Sequence, residues 1–266
     1  MPTLLRIIVP IVITISVFVN FSIKSQAQVS LDKARQDYSF QFSKYREIQK
    51  DYQSAKSQYE SFKTAISKNE AFLKTKNYLD QIDNLLIAYV LLINENGQRV
   101  NWQSNAQARD SIANSFQAEI SYFEDHKQKV QNVSTLEELP PLAKELNEHL
   151  SQITFLKVYK TLATYEYTQA KSTFSEFNKI LSSLDEYISI NYSQQNNTVI
   201  SNWRSEIRNI GEKTKTNLDL AGEKYSKTKL DTANKDEYKE ISLYSTKAAQ
   251  ELKKPKILFD EILRIL

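Results

Sequence analysis

The chain has 266 residues, 41% hydrophobic and 11% aromatic, which is enough to bury a core and too apolar for a disordered polymer. Cysteine is absent, which excludes disulfides, thiolate metal sites, iron–sulfur clusters and thiol catalysis, and three glycines with five prolines are too few turn residues for a sheet protein. Of the 35 basic residues Arg6 and Lys24 lie within the first 27, where no acid occurs, so the remainder sets 33 basic residues against 32 acidic ones, an interspersed balance without an electrostatic footprint for nucleic acid.

Residues 1–27 read as a signal peptide. One basic residue, Arg6, precedes an apolar run over 7–23 that is interrupted only by Pro10, Thr14, Ser16, Asn20 and Ser22. The small residues Ser25 and Ala27 then fit cleavage between Ala27 and Gln28. A run of that length is also at the short limit for a membrane span, so an uncleaved anchor is the rival reading. Both readings place the bulk of the chain outside the cytoplasm, secreted or associated with the envelope, with membrane contact only through this segment.

A first helix follows over 31–66. Leu31, Tyr38, Tyr45, Tyr52, Tyr59 and Ile66 recur at intervals of seven, and Ala34, Gln41, Ile48, Ala55 and Phe62 stand three residues after them. That is a heptad seam in which bulky phenols alternate with small alanines, and it predicts packing of the tyrosines against a partner helix. Ser67-x-x-Glu70 reads as a capping box, after which the apolar frame restarts one residue out of phase at Phe72, Leu79, Ile82, Leu86, Tyr89 and Ile93. This second helix contains the most apolar piece, "LLIAYVLLI" over 85–93, and Gly97 is expected to cap it in a left-handed conformation.

A third helix is predicted over 105–131, buried through Ile112 or Ala113, Phe116, Ile120, Phe123 and Val130, with His126 solvated. Pro140 and Pro141 break the chain except as a first turn. The fourth pattern is the most regular: Leu142, Leu146, His149, Ile153, Leu156, Lys160, Ala163, Tyr167, Ala170, Phe174, Phe177, Leu181, Leu184 and Ile188 predict one unbroken helix about 75 Å long. In that frame His149 is a core histidine bonded to a neighbour, and Lys160 snorkels from the edge. Val199, Trp203, Ile207, Ile210, Leu218, Ala221 and Tyr225 mark a fifth helix. Asn234-x-x-Glu237 caps a sixth with Tyr238, Ile241, Ala248 and Leu252, Pro255 stops it, and "KILFDEILRIL" is a short amphipathic tail.

Together these elements predict an all-α fold, an elongated antiparallel helical bundle of coiled-coil-like hairpins. Its parts are the signal peptide or anchor (1–27), a main bundle (28–193), a C-terminal hairpin packed on it (194–254) and the tail (255–266). The stretches "DYSFQFSKYREIQKDYQSAKSQYESFKT", "LDQIDNLLIAYVLLINE" and "TLEELPPLAKELNEHLSQI" resemble exported helical proteins of ultrasmall candidate-phylum bacteria, over roughly residues 28–185. The resemblance implies an exported, cleaved, all-helical protein and carries no assigned activity or site.

Enzymatic signatures are missing from the sequence. No glycine-rich phosphate loop occurs, and a di-iron bundle would need paired Glu-x-x-His motifs, whereas Phe123 and Leu146 stand three residues before His126 and His149. Glu145 and His149 stand one turn apart, but a metal site would require further ligands; no catalytic, cofactor-binding or metal residue is assigned and no cofactor is expected. The reading is a non-enzymatic structural or protein-interaction module at the cell envelope, with a protein partner or self-association through the heptad faces. Its rival is an extracytoplasmic ligand-binding domain with a pocket between helices, lined by Trp102, Trp203 or the tyrosines. A third reading is an enzyme, which three or more inward carboxylates meeting near His149 would favour.

Overall fold

The computed structural model describes residues 26–103, 105–191, 198–228 and 235–265. Helix accounts for 93% of them and no strand occurs among them, so the chain is an all-α helical bundle. The elements are α1 (Gln26–Phe62), α2 (Ala65–Gly97), α3 (Ala106–Asn132), a 3-10 turn (Leu136–Glu138), α4 (Leu139–His149), a π-helical turn (Leu150–Thr154), α5 (Phe155–Asn191), α6 (Thr198–Lys227), α7 (Lys235–Glu251) and α8 (Pro255–Ile265). No helix among the described residues is long and apolar enough to cross a membrane. The expected signal segment lies outside the described residues except for its last two positions, and the expected cap Asn234 lies outside them too.

Two compact units divide the chain. One holds the described residues up to Gln98 together with Ser115–Thr154, the other Arg99–Asn114 and the residues from Phe155 onward. The division at Thr154 therefore runs through the span 28–193 that the sequence groups as one bundle.

In the first unit α1 and α2 form an antiparallel hairpin, and the heptad seam is its interior. Leu31, Ala34, Tyr45 and Ala55 are buried, while Tyr38, Tyr52 and Tyr59 are half-buried. The seam tyrosines meet tyrosines of α2: Tyr38 packs on Tyr89, and Tyr52 stacks on Tyr78 with ring centroids 4.6 Å apart and an interplanar angle of 1°. Tyr45 exchanges a hydroxyl hydrogen bond with Tyr78 at 3.2 Å. At the open end the Ser30 hydroxyl donates to Glu95, and midway the Gln81 amide donates to both the backbone and side-chain oxygens of Gln41.

At the closed end the sequence expectation fails in an informative way. α1 stops at Phe62, Lys63 adopts φ 48°, and Thr64 caps α2 by accepting from the Ser67 amide at 3.1 Å while the Ser67 hydroxyl accepts from the Thr64 amide at 3.0 Å. Ser67 is thus the third residue of the helix and not its cap, so the expected Ser67-x-x-Glu70 box is displaced by one turn. The early stop leaves two expected seam residues in solvent: Phe62 is 71% and Ile66 84% exposed. Gly97 is likewise no left-handed cap. It is buried in the last turn of α2, and Gln98 at φ −65° turns its amide back onto Asn96 and Glu95.

Pro140 and Pro141 occupy the first turn of α4, where their missing amides are no loss. The long helix expected over 142–188 is interrupted by the π-helical turn Leu150–Thr154, which shifts the register of the inward-facing residues. Ile153, an expected seam residue, is turned 40% into solvent, and beyond the turn Thr154, Val158, Thr161, Tyr165 and Thr168 form a buried row at steps of four and three. The expected frame persists beside it in Ala163, Ala170, Phe177 and Leu184, because α5 is flanked on more than one side.

In the second unit α5, α6, α7 and α8 pack as a bundle. One cluster joins Phe177, Leu184, Ile188, Ile200, Ile207 and Ile262, with Trp203 and Phe259 against it; Ala170 meets Leu218 and Ala248, and Ala163 meets Tyr238 and Ile241. Trp102 is buried edge-on against Tyr165 at 5.7 Å. Both tryptophans therefore serve packing within this unit.

Candidate functional site

Both histidines of the chain are brought together in the first unit, around Tyr122 of α3. The α3 residues that face inward are Phe116, Glu119, Phe123, His126 and Val130, spaced alternately by three and four. Two of the five positions in that stripe are ionisable. The structure therefore corrects the expectation that His126 is solvated: it is fully buried, as is Asp83 of α2, and its Nδ1 lies 2.8 and 3.0 Å from the two Asp83 carboxylate oxygens. Its Nε2 lies 3.1 Å from the Leu142 carbonyl of α4. One imidazole thus ties three helices.

His149, at the end of α4, donates through Nε2 to Glu119 Oε2 at 3.0 Å, in keeping with a core histidine bonded to a neighbour. The same oxygen accepts from the Thr154 hydroxyl at 2.6 Å, so the π-helical turn is anchored to α3 through one buried carboxylate. Tyr122 lies flat against the His149 ring at 3.4 Å and 10°, and at 6.4 Å and 18° from the His126 ring. Its hydroxyl is buried without a protein hydrogen-bond partner. Burial, with Glu145, Asp83 and Glu119 nearby, pushes the Tyr122 phenol up to about 12.

The rim is wired by lysines. Lys127 donates to Asn84 at 2.7 Å, Lys129 to Glu145 at 2.6 Å, and Lys76 to the carbonyls of Gln131 and Val133. Glu145, the carboxylate one turn before His149, is thus taken by Lys129, and Glu119 is the acid that reaches His149. Among the described residues no group of three or more His, Asp or Glu side chains is placed to hold a metal ion.

What this junction can do chemically is hold and release protons. Its imidazoles are oriented by buried carboxylates, as in an acid–base catalyst, but a nucleophile has to lie within hydrogen-bond reach of its base. The hydroxyl of Thr154 is turned to Glu119 and that of Ser151 to the Glu148 carbonyl. The sequence did carry a signal for the junction: 116, 119, 123, 126 and 130 keep strict seam spacing, and only the default that charged residues face water removed Glu119 and His126 from it.

Comparison of the chain with models of protein families, with characterised proteins and with solved structures yields no match.

Proposed function

We propose that the protein is an exported, non-enzymatic helical module of the cell envelope that engages a protein partner through the tip of the α1–α2 hairpin. The observation that carries this reading is the exposure of Phe62 and Ile66 on either side of the Lys63–Thr64 turn. Two bulky apolar residues at the end of a rigid hairpin are a compact anchor of the kind that dominates protein interfaces. The heptad face of α1 is already filled by α2, so association is expected at the tip and not along the seam. Lys56 and Lys68 beside the tip are matched by Glu60 and Glu137, which leaves less free positive charge there than the basic collar that would favour an anionic bilayer. Export rests on the N-terminal segment and on the resemblance of residues 28–185 to exported helical proteins.

A photoreactive phenylalanine analogue at position 62, incorporated in the producing cells, tests the proposal. A discrete adduct is expected that vanishes when Ile66 is replaced by serine and is absent when the analogue stands at Lys33 on the outer face of α1. Equal labelling from both positions would sink the docking role. Sequencing of the mature N-terminus should read Gln28; recovery of Met1 from membranes would replace cleavage by anchoring.

A further inference from the structure

The ring of His126 faces acceptors on both sides. A backbone carbonyl cannot donate, so Nε2 must carry a hydrogen toward Leu142, and a second proton must lie between Nδ1 and the Asp83 carboxylate. The buried pair therefore holds two protons. Loss of one sets a nitrogen lone pair against an oxygen lone pair away from water, which breaks one of the two contacts. A carboxylate accepts more strongly than a carbonyl, so the remaining ring proton stays on Nδ1 and the contact to Leu142 is the one lost.

We propose that His126 is a proton-operated latch: protonated, it fastens α4 to α3 and α2, and deprotonated, it keeps Asp83 but releases α4 together with the π-helical turn behind it.

The groups facing the latch come from all three helices. Asp80 and Asn84 stand beside Asp83 on α2, Glu119, Tyr122 and Lys127 on α3, and Glu145 on α4. Asp80 is held by Asn84 and Gln131, and Lys127 is turned to Asn84. Burial by itself disfavours the imidazolium, but the hydrogen bond and charge of Asp83, the Leu142 carbonyl and Glu145 outweigh it and hold the His126 proton above the usual histidine range. Burial also raises the Asp83 carboxyl, against the pull of His126. Both directions agree: the folded pair binds protons more tightly than the unfolded chain. The stabilisation is therefore complete below the ordinary histidine pKa and is lost as pH rises through the raised value.

Amide hydrogen exchange of the whole chain, measured by NMR over about pH 6 to 10 and corrected for intrinsic exchange, tests the latch. The opening constant of the α4 amides should climb by up to about tenfold per pH unit between the ordinary histidine pKa and the raised His126 value and level off above it, while amides in the middle of the α1–α2 hairpin stay level. The His126 ring should show two protonated nitrogens at neutral pH and keep the Nδ1 proton after titration. Asp83→Asn, which preserves shape and removes the charge, should move the rise to lower pH. A level α4 profile, a rise shared equally by the hairpin, or a singly protonated His126 ring at neutral pH would each overturn the proposal, and the last readout needs no variant.

Discussion

The two units bury polar groups in opposite ways. The first encloses Asp83, Glu119, His126 and Gln81, groups that need partners from other helices. The second encloses Thr161, Thr164, Thr168 and Thr214, and of these Thr164 and Thr214 give their hydroxyls to the carbonyl one turn back, at 2.8 and 2.9 Å. A threonine of that kind satisfies itself within its own helix and leaves the packing face apolar, so it specifies no neighbour. A buried carboxylate or imidazole does specify one, because an unpaired charge in the core costs far more than a misplaced methyl group. The first unit is thus fixed in arrangement by a few ionisable contacts and exposed to pH through them, whereas the second rests mainly on shape. Two half-buried carboxylates are the counterparts in the second unit: Glu166 takes the Ser242 hydroxyl, and burial raises its carboxyl against that bond, while Asp185 pairs with Arg204 and Arg208 of α6 at 2.7 Å.

The sharpest way to break this contrast is to delete one side of each kind of contact. His126→Ala leaves Asp83 buried without its cation and should lower the stability of the first unit by about 3 to 5 kcal/mol, the usual result of breaking a buried pair from one side. Thr214→Val keeps the shape and the helical bond of Ile210, and should cost no more than about 1 kcal/mol. Both tryptophans lie in the second unit, so urea unfolding followed at once by tryptophan emission and far-ultraviolet circular dichroism separates the two losses. His126→Ala should move the dichroism ahead of the emission. Coincident transitions in that variant, or equal losses in the two variants, would erase the distinction.

The hairpin seam adds an intermediate case, since tyrosines combine apolar rings with a polar handle. Tyr45→Ala removes a buried ring and should cost about 3 to 5 kcal/mol in the same urea measurement. Tyr45→Phe should cost about 1 kcal/mol, because the hydroxyl bonds Tyr78 inside the hairpin and not water at its edge. Tyr52→Ala, half-buried on the Tyr78 face, should fall below Tyr45→Ala; a Tyr52→Ala protein that melts like the parent would remove it from the seam.

How much of this was legible depends on whether a residue's environment is set locally. The tyrosine seam was readable because a period of 3.5 residues repeated along one helix is a local signal, and so were the first-turn prolines of α4 and the inward Tyr238, Ile241 and Ala248 of α7. The Asp83–His126 pair was not, because its partners stand 43 residues apart and burial of either one alone would be prohibitive. The π-helical turn was hidden for a different reason: α5 packs on two sides, so both the expected frame and the rotated one find apolar residues.

A smaller effect is expected at Tyr122, whose buried hydroxyl finds no protein partner beside His149. Tyr122→Phe keeps the ring stack and removes the orphan group, so stability should rise by about 1 kcal/mol. A loss of stability would mean that the hydroxyl is hydrogen-bonded at the junction after all, and would move the polar boundary of the core outward.

The smallest effect concerns the hairpin turn, where local strain and the exposed tip meet. Lys63 takes φ 48°, a region in which a β-carbon crowds the following carbonyl at a cost of about 1 to 2 kcal/mol. Glycine removes that strain but loses more chain entropy on folding, which returns roughly 0.4 to 1 kcal/mol. Lys63→Gly should therefore raise stability by about 0.5 to 1 kcal/mol, read as a higher urea midpoint. Thr64→Ala at the next position should lower it by about 1 kcal/mol, because the first turn of α2 then loses its cap. If Lys63→Gly destabilises the protein, the turn in solution is not left-handed at Lys63. The early stop of α1 that leaves Phe62 and Ile66 in solvent would then lose its physical cause.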